Sequence, residues 1–263
     1  MAIFDGKHLK GLVGKLVLRK HGKKQIVQGR AIQVKQTQST KESAKLFGKA
    51  SRLAKNIRDG LVTALNADTD GEMVNRFNTE VRAILQHCLN PETNKFEFKA
   101  DSFSRLTDFE FNKHSPFKNY FWEPVQTEIS DHKMHIHIPT FEVALQLKFP
   151  DFNTICELNV QVVMLYLKGK GLSKRLPLQT LEIISTQKIS PAHEFSFEVP
   201  DGCLCVAGLY LKYYKMNKTS KMEYIKSGFY PSKICGAWIS PGVPIVTEAM
   251  EKWNCMELEL PQS

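Results

Sequence analysis

Apolar positions along the chain change their spacing twice. Near the start, residues 12–18 and 25–34 are short β-prone runs, and the segment Arg19 to Lys24 between them holds a turn-like Gly22. The pattern predicts a hairpin with a basic tip, preceded by a lead-in that Gly6, Gly11 and Gly14 make flexible. A two-stranded ribbon buries no core of its own, so it has to lie on the rest of the protein or on a partner.

From residue 39 the period becomes helical. Ser39 and Glu42 match a capping box, and Leu46, Ala50, Leu53, Ile57 and Leu61 follow at spacings of four, three, four and four. Phe47 and Ala54 widen this apolar arc, while Lys41, Lys45, Lys49, Arg52 and Lys55 fall on the opposite arc. Gly48 sits among these cations and costs the helix roughly 1 kcal/mol against Ala. Close approach by a phosphate or a partner backbone would be one use for it; the plainer reading is a glycine tolerated on an exposed face. A second helix is predicted over 71–89, with Met73, Phe77, Val81, Ile84, Leu85 and Cys88 on its apolar face. Thr69 to Glu72 resembles another capping box and Asn90-Pro91 ends the helix, so the two helices read as an αα-hairpin.

After about residue 95 the period is two. Segments such as 95–99, 108–112, 133–138, 141–149, 158–167, 181–185, 194–199 and 203–214 suit strands, with turn signals recurring between them. Val199-Pro-Asp-Gly-Cys203 reads as a hairpin joining 194–199 to 203–214. Many short strands at this spacing indicate an antiparallel sandwich, Ig-like or jelly-roll-like. The expected class is therefore α+β, mostly β. Residues 1–92 form a basic ribbon and helical hairpin, and 93–263 the sandwich.

Charge sharpens this picture. The net charge of +9 is segregated: residues 1–60 carry 15 Lys or Arg against 3 Asp or Glu, and the remainder 21 against 24. Such a block marks a surface for an anionic partner or, more plainly, a solvated face. Arg19, Lys20, Lys23 and Lys24 at the hairpin tip and the five helix cations are the candidate contacts. Lys168, Lys170, Lys174 and Arg175 add a basic loop in the β region. No run is long enough for a membrane span or a signal peptide, and the six cysteines contain no CxxC. Reduced, mostly buried thiols in a cytoplasmic protein are expected, with Cys203 and Cys205 on one strand face.

Candidate chemistry is sparse. His135, His137 and Glu142 give a fragment of the cupin metal pattern, but its glycines and its second half are missing, so surface histidines are the plainer reading. Asn66, Asp68, Asp70 and Gly71 mimic half of an EF-hand loop, yet Phe77 stands where the bidentate Glu belongs. Gly11 to Lys15 lacks the spacing of a phosphate loop, and neither G-x-S-x-G nor G-x-G-x-x-G occurs. No catalytic residue, cofactor or metal is expected. Aromatic interleaving of the cations is poor, so any nucleic-acid binding would be directed at the backbone.

The chain resembles a large group of uncharacterised Bacteroidota proteins. The resemblance rests on Gly11, Gly14 and Val17, then Gly22-Lys-Lys, then VKQTQSTKESAKLFGKASRLAK, FEFNKHSPF at 109–117 and HIHIPTFE at 135–142. It implies a hairpin-helix module followed by a β-sandwich, and brings no activity with it. The leading expectation is a non-enzymatic assembly protein whose basic arm docks on an anionic surface or a neighbouring subunit, such as its acidic C-terminal segment. A sequence-nonspecific nucleic-acid binder and a metal- or carbohydrate-binding sandwich are the alternatives.

Overall fold

The computed structural model describes residues 2–21, 24–30, 36–61, 70–217, 220–243 and 248–262. The chain divides into two compact units, Met1–Ala44 and Lys45–Ser263. In the first unit β1 (Ala2–Phe4), β2 (Leu9–Val13), β3 (Leu16–His21) and β4 (Lys24–Gly29) form a four-stranded antiparallel sheet in chain order. The expected two-stranded ribbon is thus half of the element. Residues 12–18 are not one strand, because Gly14 and Lys15 make a two-residue turn in which Gly14 has φ 58°. That left-handed value favours glycine and turns the chain back on itself. The β3–β4 hairpin closes around the pair His21–Lys24, and Gly22 and Lys23 lie outside the described residues.

Helix α1 (Gln38–Gly60) follows. Its cap is Thr37, whose Oγ1 accepts the N–H of Thr40 at 3.2 Å, two residues earlier than the Ser39 box predicted. Helix α2 (Met73–Cys88) is held at its start by Asp70, whose Oδ1 accepts the Glu72 N–H at 3.1 Å; Thr69 lies outside the described residues. The Asp70 carboxylate meets Arg76 at 2.5 Å and accepts the Lys113 N–H at 3.0 Å. Asn66 and Asp68 are also outside the described residues, and Asp70 is committed to these partners rather than to a calcium loop.

The remaining elements are β5 (Leu89–Asn90), β6 (Lys95–Phe96), β7 (Gln126–Ser130), β8 (Lys133–Ile138), β9 (Phe141–Glu142), the single turn α3 (Val143–Gln146), β10 (Ile155–Tyr166), β11 (Leu172–Arg175), β12 (Gln179–Ile184), β13 (Ile189–Ser190), β14 (His193–Glu198), β15 (Leu204–Asn217), β16 (Ser220–Glu223), β17 (Ser232–Ile239) and β18 (Asn254–Cys255). The fold is α+β with strands predominating. Its spine is the antiparallel pair β10–β15, flanked by β11, β12 and β18 on one side and β16 and β17 on the other. A three-stranded sheet, β14-β8-β7, faces it.

The faces of β10 explain the layering. Cys156, Leu158, Val160, Val162 and Met164 join Met134, Ile136, Ile138, Phe195 and Phe197 of the small sheet in one core. Val163 and Leu165 join the apolar stripes of α1 and α2 in a second core on the other side. The result is small sheet, large sheet, then helices. The helices belong with the sheet, so the expected boundary at residue 92 falls inside the second compact unit. At its C-terminal end α1 nearly touches β10: a Cβ on Gly60 would lie 2.2 Å from a Val163 methyl.

Three local expectations change. Strand β14 pairs with β8, so Pro200 to Gly202 carries the chain from one sheet to the other instead of closing a hairpin onto β15. Residues 95–99 and 108–112 hold only β6 and an isolated bridge at Glu110, because their phenylalanines are drawn into the helix-side core. Residues 141–149 hold β9 and α3, with Val143 and Leu147 buried four apart on the single turn.

Candidate functional site

Alternation along β1–β4 sorts the first sheet into two faces. The registers put Phe4, Leu9, Val13, Leu16, Leu18 and Val27 on one face. Lys10, Arg19, His21 and Lys24 lie on the other, with Ile3, Leu12, Val17 and Ile26 between them. Lys20 is at the end of the apolar face, so the cations of the tip do not all point one way. No described residue from 3 to 30 is buried. Phe4 is 64% exposed, Val13 49% and Val27 55%. Ile3 at 71% and Leu12 at 36% are exposed on the opposite face, so apolar exposure runs over both faces and is denser on the first.

In the second unit the helix cations form a second feature. Ala50, Leu53, Ala54 and Ile57 are sealed beneath α1, while Phe47 is exposed and does not widen the apolar arc. Lys45, Lys49 and Arg52 point to the opposite side and line a groove of ≈ 750 Å³ with Gly48 and with Lys170 from the β10–β11 turn. Its far wall is the segment Cys255 to Glu259. That segment is pinned: Met256 and Leu258 donate their N–H groups to the carbonyls of Gly171 and Lys170 at 3.0 Å each, and their side chains are buried. Arg52 donates from Nη1 to the backbone carbonyl of Glu257.

The acidic C-terminal segment therefore meets the basic helix within the same chain, and a neighbour's copy is not needed for that contact. It does not neutralise the helix. Lys55 is paired with Asp59 at 2.5 Å, one turn along α1. Lys49 has its ammonium 5.2 Å from the centre of the Phe96 ring. Loss of water lowers the Lys49 pKa, with Lys45 adding to the effect and Glu259 opposing it. Among the described residues Arg19, Lys20, Lys24, Lys41 and Lys45 have no carboxylate partner within 4 Å. Lys23 lies outside the described residues.

The basic loop of the β region is dispersed: Lys170 reaches the α1 groove, whereas Lys174 lines a different cavity. What sequence reasoning missed is Glu257 and Glu259 as the facing wall; alternation of Met256, Leu258 and Leu260 with those acids was the available signal. His135 and His137 share the outer face of the small sheet, and His135 Nδ1 is 3.0 Å from Glu194. Glu142 sits apart from them on β9, paired with Ile189 of β13. Among the described residues no group of three ligating side chains converges for a metal. Five of the six cysteines are buried, Cys203 and Cys205 among them in one core, and Cys255 is exposed. Burial pushes the Cys203 and Cys235 thiols up to about 12, so they stay protonated.

Two more cavities lie elsewhere among the described residues. One of ≈ 700 Å³ opens at the edge of the sandwich over Met164, Phe197 and Trp253. Trp253 is only 8% exposed and offers no stacking platform to a sugar. The other, ≈ 960 Å³, lies by the end of α2 near His87, Cys88 and Asp101. Burial raises the Cys88 pKa, which disfavours the thiolate. No described helix is long and apolar enough to cross a membrane.

No protein-family model matches the chain, and no curated protein sequence does. A solved structure described as "CC2D1B coordinates ESRCT-III activity during the mitotic reformation of the nuclear envelope" aligns with 84% of this chain and 96% of its own at 10% identity, with a TM-score of 0.18. A likeness at that score carries no argument.

Proposed function

We propose that this protein is a non-enzymatic assembly component whose N-terminal sheet docks on a neighbouring copy. The observation that carries the reading is a four-stranded sheet with no buried residue among 3–30 and with Phe4, Leu9, Val13, Leu16 and Val27 exposed on one face. A sheet needs a covered apolar face to be stable in water, and here the first unit supplies no cover. The first unit, residues 1–44, carries 10 Lys or Arg against 2 Asp or Glu, whereas residues 45–263 are near neutral, 26 against 25. A neighbouring copy's second unit therefore does not repel this basic sheet as another basic sheet would, and apolar contact would supply the affinity.

Light scattering of the full chain across concentration and salt tests this. Discrete oligomers are expected, and Leu16→Glu with Val27→Glu should shift them to monomer while the thermal transition of the second unit stays put. A protein that is monomeric at every concentration, or oligomers indifferent to both substitutions, overturns the reading.

A further inference from the structure

The groove beside α1 has a composition that the assembly reading does not use. Lys45, Lys49 and Arg52 recur at intervals of four and three residues, so they follow the helix axis at steps of roughly 4.5–6 Å. Lys170 comes from a separate element, the turn after β10. We propose that this groove is a binding site for phosphate groups, presented by a nucleic-acid backbone or by a free phosphate compound.

Four features support the assignment. The cations outnumber the two carboxylates of the facing wall, Glu257 and Glu259, so the groove keeps a positive balance. Arg52 is oriented in advance by its bond to the Glu257 carbonyl, which leaves other N–H groups of its fork to serve a ligand. Gly48 leaves the wall open between the lysines: a Cβ built there meets nothing within 4 Å. Lys49 is held in partly desolvated surroundings that Glu259 only partly offsets, with Lys45 adding a like charge, and an entering anion relieves that cost. Phosphate suits the geometry better than a carboxylate. A terminal phosphate offers three acceptor oxygens, and even a phosphodiester sets its two free oxygens around a tetrahedral phosphorus, so donors arriving from two elements can meet them; a carboxylate offers two oxygens in one plane.

Cys255 provides the readout. It lines the same groove and is the exposed one of the six cysteines. The full chain is alkylated with a maleimide in the presence of pyrophosphate, of a single-stranded oligonucleotide, or of poly-glutamate. A phosphate ligand should slow modification of Cys255 at least threefold. For the oligonucleotide, log K should fall against log salt with a slope of about −3, and Lys45→Gln with Lys49→Gln should flatten it by roughly 1.4. Glu259→Gln should strengthen binding, because it removes an opposing charge from the wall. Protection by pyrophosphate at matched phosphate concentration identifies a free phosphate compound as the source; protection by the oligonucleotide alone identifies a nucleic acid. Either upholds the site. No protection, protection by poly-glutamate alone, or protection unchanged in the double variant overturns it. Mass measured on the same samples keeps the two proposals apart, since Leu16→Glu with Val27→Glu should dissolve the oligomer and leave Cys255 protection intact.

Discussion

Two of the molecule's antiparallel sheets solve the same problem in opposite ways. The sheet built on β10 and β15 is covered on both faces, by a smaller sheet and by helices. The sheet β1–β4 has no buried residue among those described. Strand sequence alone does not separate them: residues 16–18 of β3 and 162–165 of β10 are both short aliphatic runs. The difference is supplied by what else lies in the chain near each strand. Burial of apolar area contributes about 25 cal/mol per Å², so a strand is stabilised by its cover more than by its own residues.

That contrast can be broken by substitution. Leu209→Ala, at a position sealed in the sandwich core, should cost about 2–5 kcal/mol in denaturant unfolding. Little loss there would mean that the spine is not packed as described. Gly60→Val should cost at least about 1–3 kcal/mol, since even a Cβ would intrude on Val163 at 2.2 Å. A neutral result would show that α1 sits farther from β10.

Acid unfolding examines the joint between helices and sheet. Burial pushes the Asp70 pKa up, but the Lys113 N–H and Arg76 outweigh it and hold the carboxyl below its usual 3.8. The folded state then binds the proton more weakly than the unfolded one. Its stabilising contribution is present above the unfolded value and disappears as pH falls through the lower folded value. Stability should decline below about pH 4, and Asp70→Asn should flatten that decline. An unchanged profile in the variant would remove Asp70 from the account. The smallest effect belongs to the exposed sheet: Leu16→Ala should change the stability of dissociated protein by within about 0.5 kcal/mol. A core-sized loss would place Leu16 inside a packed interior and erase the comparison.

Much of the architecture was legible. The stripe Leu46, Ala50, Leu53, Ile57 announced α1 and its buried face, because a helix repeats every 3.6 residues whatever it packs on. Alternation marked most strands after residue 125. Where alternation failed, as in 95–99 and 108–112, the aromatic rings were being recruited by the helix-side core rather than by a ladder. The turn at Pro200 was readable as a turn but not as a crossing between sheets, since a tight bend does not specify which strand receives it. For the candidate site, Lys45, Lys49 and Arg52 could be placed on one helix face from sequence. Lys170 could not be joined to them, because its neighbourhood is set by a contact across 118 residues of chain.

The sequence by itself determined the periodicities, the excess of positive charge in the first quarter and the amphipathic helix, because each depends on neighbours a few residues apart. Tertiary structure alone decided that β10 is buried on both sides, that the acidic tail walls the basic groove of its own chain, and that the first sheet finds no cover within its own unit. Those outcomes depend on which distant surfaces meet, and long-range packing is not written in any local pattern.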